Sequence, residues 1–249
     1  MKIAASNLSI VPFRAEASHR SEMVSQVLFG EVFEILQEDV DFVKVRLLSV
    51  NYEGWIQRNQ FGSVIHKEQD TTMIVGIHGA TAVSVKHRVN LVHGTVITGD
   101  TMRIGEEVFT IEGDLRKVSL ADFDTEFEYL VSHYNNSPYL WGGRSIYGID
   151  CSGFSQIVYR HFGISLPRDA WQQAEKGEVV DFQSEIRKGD LAFFDNEAGK
   201  ITHVGVMINN ETIIHASGRI RVDKMDNEGI FNAELNKYTH RLRIVKRYI

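Results

Sequence analysis

The first sixty residues alternate apolar and polar side chains in short runs. Residues 31–36 and 42–47 place an apolar side chain at nearly every second position, which is typical of strands with one buried face. Gly30 and Gly54 interrupt these runs, as glycines do at turns. Short strands at this spacing predict a small β-barrel over residues 1–60.

Residues 61–118 continue this style less regularly. Their apolar runs are 73–77, 82–85, 94–100 and 107–111, and polar turns separate them. The pattern predicts a second, divergent barrel over residues 61–118.

Helical spacing replaces the alternation near Ser119. One stripe repeats at intervals of three and four residues, and it consists of Phe123, Phe127, Leu130, Val131 and Tyr134. A second stripe consists of Phe154, Ile157, Val158 and Phe162. Strand-like runs follow at 190–194, 203–208, 212–216 and 241–245. Helices followed by an antiparallel meander predict an α+β domain over residues 119–249.

The composition excludes several classes of protein. The chain has 249 residues and a formal net charge of −6 without a block of Lys and Arg, so we expect no nucleic-acid partner. A single cysteine excludes an internal disulfide and a cysteine-based zinc cluster. No run approaches the ~18 apolar residues of a membrane span, so no membrane partner is expected. The first residues do not read as an export signal, and we expect a cytoplasmic protein.

The single cysteine has an unusual setting. Cys151 follows the glycine-rich run 141–150 and opens the second helical stripe. A helix N-terminus favours the thiolate, which is the nucleophilic form of cysteine. His203 and His215 follow, in the order that thiol hydrolases need. The alternative is an inert thiol that packs as a small apolar side chain.

The spacing of the two histidines sets a condition on the hairpin that carries them. Their strands flank the turn 209–211, and side chains alternate faces along a strand. If Met207 pairs with Glu211, His203 lies opposite His215 with Cβ atoms ~5 Å apart. A two-residue turn would place the two rings on opposite faces. A catalytic pair therefore requires a loop of odd length.

These residues predict acyl-transfer chemistry. Cys151 would be the nucleophile, His203 would take its proton and deliver one to the leaving amine, and His215 would orient the ring of His203. Backbone N–H groups at the helix start, with Tyr139 as a second donor, would stabilise the oxyanion. A metal site on the two histidines is the rival chemistry, but the sequence offers no obvious third ligand. No metal or organic cofactor is implied.

Five motifs in this order resemble the NlpC-type family of bacterial cell-wall cysteine peptidases. They occupy residues 139–143, 150–154, 166–169, 188–194 and 203–206. The segments 8–14, 21–26 and 52–56 resemble a bacterial SH3-like domain, and residues 61–118 match such a domain less well. The resemblance implies a papain-like core preceded by two small SH3-like barrels. Two barrels before this domain are typical of the subgroup that cleaves murein stem peptides after γ-D-glutamate.

The resemblance also implies the roles of particular residues. Cys151, His203 and His215 become the catalytic set, and Asp169 is expected to bind the ammonium of an N-terminal L-Ala. Four residues are expected to line the pocket: Tyr139, Trp141, Asp150 and Ser152. In relatives the first barrel closes one end of the pocket, which makes Glu22 and Tyr52 candidates; the alternative is ordinary surface and turn residues.

Arg168 is a candidate on its own chemistry. A guanidinium can hold a substrate carboxylate through two hydrogen bonds. The alternative for Arg168 and Asp169 is a local ion pair in a surface loop.

The sequence therefore predicts a cysteine peptidase that releases L-Ala-γ-D-Glu from murein stem peptides with a free N-terminal L-Ala, in murein peptide recycling. The partner would be the stem peptide L-Ala-γ-D-Glu-diamino acid. Two alternatives stay open: a murein-peptide-binding protein with an idle thiol, and an acyltransferase on a papain-like core. The identity of the diamino acid (meso-diaminopimelate or lysine), the stem length and the oligomeric state also stay open.

Overall fold

The computed structural model describes residues 2–64, 72–99 and 101–249. The chain forms two compact units. The first unit comprises Met1–Leu120, Trp141–Ser145 and Arg160–Ser165, and the second comprises Ala121–Leu140, Ile146–Tyr159 and Leu166–Ile249.

Twelve strands of the described residues build two antiparallel sheets in the first unit. The first sheet has the order β3-β2-β6-β5-β4-β1-β7, and its strands are β1 Lys2–Ser6, β2 Ile10–Arg14, β3 Met23–Leu28, β4 Val32–Glu38, β5 Phe42–Leu47, β6 Tyr52–Gln57 and β7 Phe61–Ser63. The second has the order β10-β8-β12-β11 with β9 beside β8, and its strands are β8 Thr72–Val83, β9 Arg88–Leu91, β10 Val96–Thr98, β11 Thr101–Ile104 and β12 Glu107–Lys117.

The alternation that predicted these strands places their apolar side chains in the core. Along β5, Val43 and Val45 are buried while Lys44 and Arg46 are partly exposed. The second sheet departs from the prediction, because the run 73–77 and the first two residues of the run 82–85 belong to the single strand β8. Gly76, inside the first run, and Gly79, between the two runs, let the strand continue where a side chain would crowd its neighbours.

The second unit combines helices with a seven-stranded antiparallel sheet. The helices are α1 Phe123–His133, α2 Cys151–His161, whose last two residues group with the first unit, and α3 Ala170–Ala174. Short 3-10 helices lie at Leu120–Asp122 and Gln183–Glu185. The two-residue strands are β13 Arg144–Ser145, which groups with the first unit, and β14 Gly148–Ile149. The strands of the seven-stranded sheet are β15 Glu178–Val180, β16 Leu191–Asp195, β17 Ile201–Met207, β18 Thr212–Ser217, β19 Arg219–Met225, β20 Gly229–Asn232 and β21 Lys237–Arg247. Their order is β15-β21-β16-β17-β18-β19-β20, and β20 also pairs with β21.

Both predicted helical stripes are confirmed. Helix α1 buries its stripe, and α2 buries Phe154, Ile157 and Val158 completely. Strand β16 is buried at every residue, which explains its continuous apolar run. The fold is therefore mostly β. None of the helices in the described ranges has the length and apolar character needed to cross a bilayer.

Candidate active site

Cys151 is the first residue of α2 and is buried, with 7% of its surface exposed. The Asp150 carboxylate accepts a hydrogen bond from the backbone N–H of Gly153 at 2.7 Å, which satisfies one free donor of the first helical turn. The backbone N–H groups of Ser152 and Val204 lie within hydrogen-bonding reach of the Cys151 sulfur. Val204 follows His203 on β17, so the start of α2 meets the strand that carries the predicted base.

The thiol is not a resting thiolate. Burial raises the pKa of Cys151 to about 12, and the charge of Asp150 adds to this, against the smaller opposite effect of the N–H groups of Val204 and Ser152. We expected the helix N-terminus to favour the thiolate. Desolvation outweighs that effect, because charge is costly to bury.

His203 and His215 share one face of the hairpin β17–β18. His203 Nε2 and His215 Nδ1 are 2.9 Å apart, and the rings meet edge to face with centroids 5.1 Å apart. An odd number of residues, 208–212, separates the last paired positions Met207 and Ile213, as the catalytic interpretation required. The predicted pairing was wrong in detail, because Met207 pairs with Ile213 and His215 lies opposite Gly205.

Gly205 makes this diagonal arrangement possible. A Cβ at Gly205 would lie 2.5 Å from Ile213 Cδ1 and 2.9 Å from His215 Cβ. Since the position opposite His215 has no side chain, the His215 ring has room to reach His203, two residues away on the same face.

The structure adds two residues that the sequence analysis missed. Asp223 on β19 accepts a hydrogen bond from His215 Nε2 at 3.0 Å. Arg221 pairs with the same carboxylate through Nε at 2.6 Å and Nη2 at 2.9 Å. Residues 221 and 223 lie on one face of β19, and Arg221 is the register partner of His215. The described residues therefore contain a continuous polar row from His203 to Arg221.

A third imidazole, from His240 on β21, was also missed. It stacks on His203 with centroids 4.2 Å apart and an interplanar angle of 28°. One ligand atom from each of His203, His215 and His240 lies within 4.8 Å of the others, so a third ligand for a metal does exist. Stacked rings direct their in-plane lone pairs side by side, however, whereas a zinc site needs them to converge at ~2.0–2.1 Å from one point.

His203 and His240 are neutral at ordinary pH. Burial is the main cause that moves the pKa of His203 well below its usual value, and the neighbouring His215 and His240 act in the same direction. Burial, again with His215, lowers the pKa of His240 to about 4. A neutral His203 is able to accept a proton from Cys151.

Several predicted pocket residues surround Cys151 in the second unit. Tyr139 is partly buried, and its pKa rises to about 12 through burial and then the charges of Cys151 and Asp150. Its hydroxyl is therefore a neutral donor near the thiol. Arg168 is buried; its Nη2 donates to Asp150 Oδ2 at 2.6 Å, and its Nη1 donates to Ser152 Oγ at 2.8 Å.

The guanidinium of Arg168 is thus hydrogen-bonded to Asp150, and Arg168 is buried instead of lying in a surface loop. This buried pair holds the segment around Cys151, and a contact between Arg168 and a substrate carboxylate stays a prediction. Asp169 is partly exposed and directly precedes α3, where its backbone N–H donates to Gln172 Oε1 at 3.1 Å.

The other three candidates lie in the first unit. Glu22 and Trp141, both exposed, are brought together: Trp141 Nε1 donates to Glu22 Oε1 at 2.6 Å. Gly142 has φ of +77° and packs so closely against the backbone of Met23 that no side chain fits. Tyr52 is partly buried at the start of β6, packed against the core of the first sheet. Roles for Glu22, Trp141 and Tyr52 stay predictions.

Two parts of the chain match known protein families. Residues 136–239 match the family described as NlpC/P60, and residues 13–61 match the "Bacterial dipeptidyl-peptidase Sh3 domain". The gamma-D-glutamyl-L-lysine dipeptidyl-peptidase of Bacillus subtilis (strain 168) is 30% identical over 212 residues, covering 77% of this chain and 71% of that protein.

Two further relatives come from Bacillus cereus ATCC 10987. A gamma-D-glutamyl-L-lysine dipeptidyl-peptidase is 42% identical over 81 residues, which span 32% of this chain and only 24% of that relative. The crystal structure of an NlpC/P60 family protein superposes with a TM-score of 0.78 and covers 99% of each chain at 17% identity. The superposition shows a shared fold.

Proposed function

Because the chain belongs to the NlpC/P60 family, we propose that it is a cysteine peptidase that hydrolyses the bond between γ-D-glutamate and the diamino acid of murein stem peptides. The relatives named gamma-D-glutamyl-L-lysine dipeptidyl-peptidase support this substrate class. The match of residues 13–61 to the SH3 domain of bacterial dipeptidyl-peptidases supports the same class.

The observation that carries the proposal is the site itself. A thiol at the start of α2 meets the backbone next to His203, and His203 is bonded to a second buried imidazole at 2.9 Å. The Cys151 sulfur attacks the γ-carbonyl carbon as its proton passes to His203. The same proton goes to the amine of the diamino acid when the C–N bond breaks. Water then hydrolyses the thioester and releases the dipeptide.

The oxyanion formed by this attack needs preorganised donors. The backbone N–H groups at the start of α2 are available to it, and the neutral Tyr139 hydroxyl is a further donor. These groups donate hydrogen bonds to the oxyanion without being ionised. They are therefore compatible with a site in which burial keeps the thiol and His203 neutral.

The dipeptidyl specificity is a finer part of the proposal. An N-terminal L-Ala ammonium that leaves water needs a carboxylate partner, since an unpaired buried charge is costly. Asp169 is the proposed partner, with Glu22 as the second candidate. In the intact wall the L-Ala nitrogen is acylated, so this requirement restricts the enzyme to free stem peptides. We therefore propose a role in murein peptide recycling, in the cytoplasm.

The domain organisation is also part of the proposal. We infer a papain-like core over residues 119–249, preceded by SH3-like barrels over residues 1–60 and 61–118. In papain-like cores a helix carries the nucleophile and packs against a sheet that carries the base. This feature supports the inference. Within the second unit, Cys151 on α2 and His203 on β17 have this relation.

The test is mass spectrometry of products from a panel of stem peptides. L-Ala-γ-D-Glu-meso-diaminopimelate and L-Ala-γ-D-Glu-L-Lys are incubated with the protein, each beside its N-acetylated form. We expect L-Ala-γ-D-Glu from the free peptides and at least about a tenfold lower rate from the acetylated ones, because the ammonium contact is lost. Equal rates would contradict the dipeptidyl specificity, and transfer products in place of free acid would favour an acyltransferase.

Two variants complete this test. Cys151→Ala should abolish turnover, and activity retained in that variant would contradict the thiol mechanism. Asp169→Asn should raise KM for the free peptides and leave cleavage of the acetylated ones unchanged. If the wild-type protein binds the peptides without cleaving them, the binding-protein alternative is favoured.

A further inference from the structure

Asp223 is a buried carboxylate in the second unit that the catalytic scheme above does not use. Its side chain is 4% exposed, and it lies behind His215 on the side away from His203. Arg221 holds it through two hydrogen bonds, and Arg221 in turn pairs with the exposed Glu234 at 2.9 Å. A carboxylate with such partners is ionised across the working pH range.

The protonation state of Asp223 follows from these contacts. Burial alone would raise its pKa, but the hydrogen bonds from His215 and Arg221 outweigh burial and hold the pKa of Asp223 below its ordinary value. An ionised carboxylate has only acceptors, so the nitrogen that faces it must carry a hydrogen. His215 Nε2 is therefore the protonated nitrogen of that ring.

The position of the hydrogen on His215 determines the position of the hydrogen on His203. When His215 carries a single ring hydrogen, on Nε2, its Nδ1 is the acceptor, because one nitrogen of such an imidazole donates and the other accepts. The hydrogen in the 2.9 Å contact must then belong to His203 Nε2. His203, which burial keeps neutral, is left with its lone pair on Nδ1, the ring nitrogen that does not face His215.

We propose that Asp223 is a positioning residue: it fixes the tautomer of His215 and, through it, of His203, so that Nδ1 of His203 is the free base for the Cys151 thiol. Without Asp223 the opposite order of hydrogens is equally available. His215 would then donate from Nδ1, and His203 would carry its hydrogen on Nδ1 and be unable to accept one there. This inference rests on the proposed thiol chemistry, but the tautomers exist with or without substrate.

The direct test is ¹⁵N NMR of the histidine-labelled wild-type protein without substrate. The two tautomers of a neutral imidazole differ strongly in their ring nitrogen shifts, and His203→Asn and His215→Asn variants assign the signals. We expect His215 and His203 both protonated on Nε2 only. A hydrogen on Nδ1 of either ring at neutral pH would overturn the proposal, whatever the substrate proves to be.

The kinetic test uses Asp223→Ala and Asp223→Glu. We expect kcat to fall about 10- to 100-fold in Asp223→Ala, the range for loss of a group that orients a ligand or base, with KM unchanged. Asp223→Glu should recover part of kcat. Asp226→Asn is the matched control, because Asp226 lies in a turn of the same unit, where it accepts from Tyr238 Oη at 2.5 Å, and should keep wild-type kcat.

The pH dependence of kcat/KM in Asp223→Ala distinguishes a positioning role of Asp223 from a purely structural one. Among the described residues, the charged or titratable groups in contact with the histidine pair are His240 and Asp223, with Arg221 behind Asp223; the Cys151 sulfur lies near the backbone of Val204, next to His203. Loss of the Asp223 charge destabilises the imidazolium, so the acidic limb of kcat/KM should move to lower pH in Asp223→Ala. A profile lowered at every pH with its limb unmoved would overturn the proposal in favour of a structural role.

Discussion

At the scale of single residues, burial keeps Cys151 and His203, the two groups proposed to react, uncharged. Burial raises the pKa of Cys151 to about 12 and lowers that of His203. A thiolate–imidazolium pair would place two charges where water does not reach them. The proton therefore moves during attack, when the developing oxyanion and its donors stabilise the charge.

This protonation state predicts slow alkylation of the free protein. The rate of modification of Cys151 by iodoacetamide should rise about tenfold per pH unit between pH 7 and 9, because only the thiolate reacts and its fraction is far from saturation. Mass spectrometry follows the reaction, with Cys151→Ala as the control that takes no label. A rate that levels off below pH 7 would show a preformed thiolate instead.

A second prediction at this scale concerns Gly205. Gly205→Ala should lower the free energy of unfolding by about 1–3 kcal/mol, because the new methyl group would overlap Ile213 and the base of His215. Thermal unfolding measures the effect. Gly199→Asn is the control, since a Cβ there meets nothing within 4 Å and asparagine tolerates the φ of +74°. Equal losses in both variants would contradict the packing argument.

At the scale of elements, the hairpin β17–β18 decides whether the two histidines meet. The sequence was sufficient to predict that an odd loop is required. It was not sufficient to predict the register, because loop closure depends on contacts such as the Ile208 N–H to the Thr212 carbonyl at 2.8 Å. The five-residue loop shifts the pairing by two positions from our expectation, which preserves the face.

The parity of this loop can be tested directly. Deletion of Asn210 leaves a loop of even length and should place one histidine on the other face, with a loss of activity of at least about 100-fold. Insertion of two glycines after Asn210 keeps the parity and should retain most activity. Peptide hydrolysis and circular dichroism measure the two outcomes. Similar activity in both variants would show that strand parity does not govern the site.

Strand β19 shows why part of the site was missed. Hydrophobic alternation would turn Val222 inward and Asp223 outward, but Val222 is 45% exposed and Asp223 is 7% exposed. Asp223 is buried because Arg221 and His215 satisfy it, and no local pattern records partners on a neighbouring strand. His240 was missed for a similar reason, since β21 is far from β17 along the chain but brings His240 onto His203.

At the scale of the whole molecule, buried charge holds distant segments of the first unit together. Glu31 accepts from Arg144 Nη2 at 2.8 Å and from Arg160 Nη1 at 2.9 Å. Both arginines belong to the short segments Trp141–Ser145 and Arg160–Ser165, which group with the first unit. The sequence indicated a boundary near Ser119 from its change of pattern. It gave no sign of this network, because the partners are more than a hundred residues apart.

The network predicts how stability depends on pH. Burial would raise the pKa of Glu31, but Arg144 and Arg160 outweigh it and lower the pKa from 4.5 to about 2. A lowered carboxyl pKa stabilises the fold above pH 4.5, and this contribution, about 3 kcal/mol, is lost as the pH falls from 4.5 to 2.

Glu31→Gln should therefore be less stable than the wild type at pH 7 by several kcal/mol, with a difference that shrinks below pH 4.5. Urea unfolding at a series of pH values measures this. Glu53→Gln is the control, because Glu53 forms exposed ion pairs with Lys44 and Arg46 on the surface of the first sheet. A difference between wild type and Glu31→Gln that is constant from pH 7 to pH 3 would contradict the linkage.

The protonated state of Cys151 has a consequence for survival under oxidative conditions. Peroxide attacks thiolates, and a sulfenic acid formed at the only cysteine of this sequence has no second thiol to convert it into a protective disulfide. Irreversible overoxidation would then follow. A buried sulfur that stays protonated avoids this first step, so the burial that keeps Cys151 neutral also protects it from oxidation.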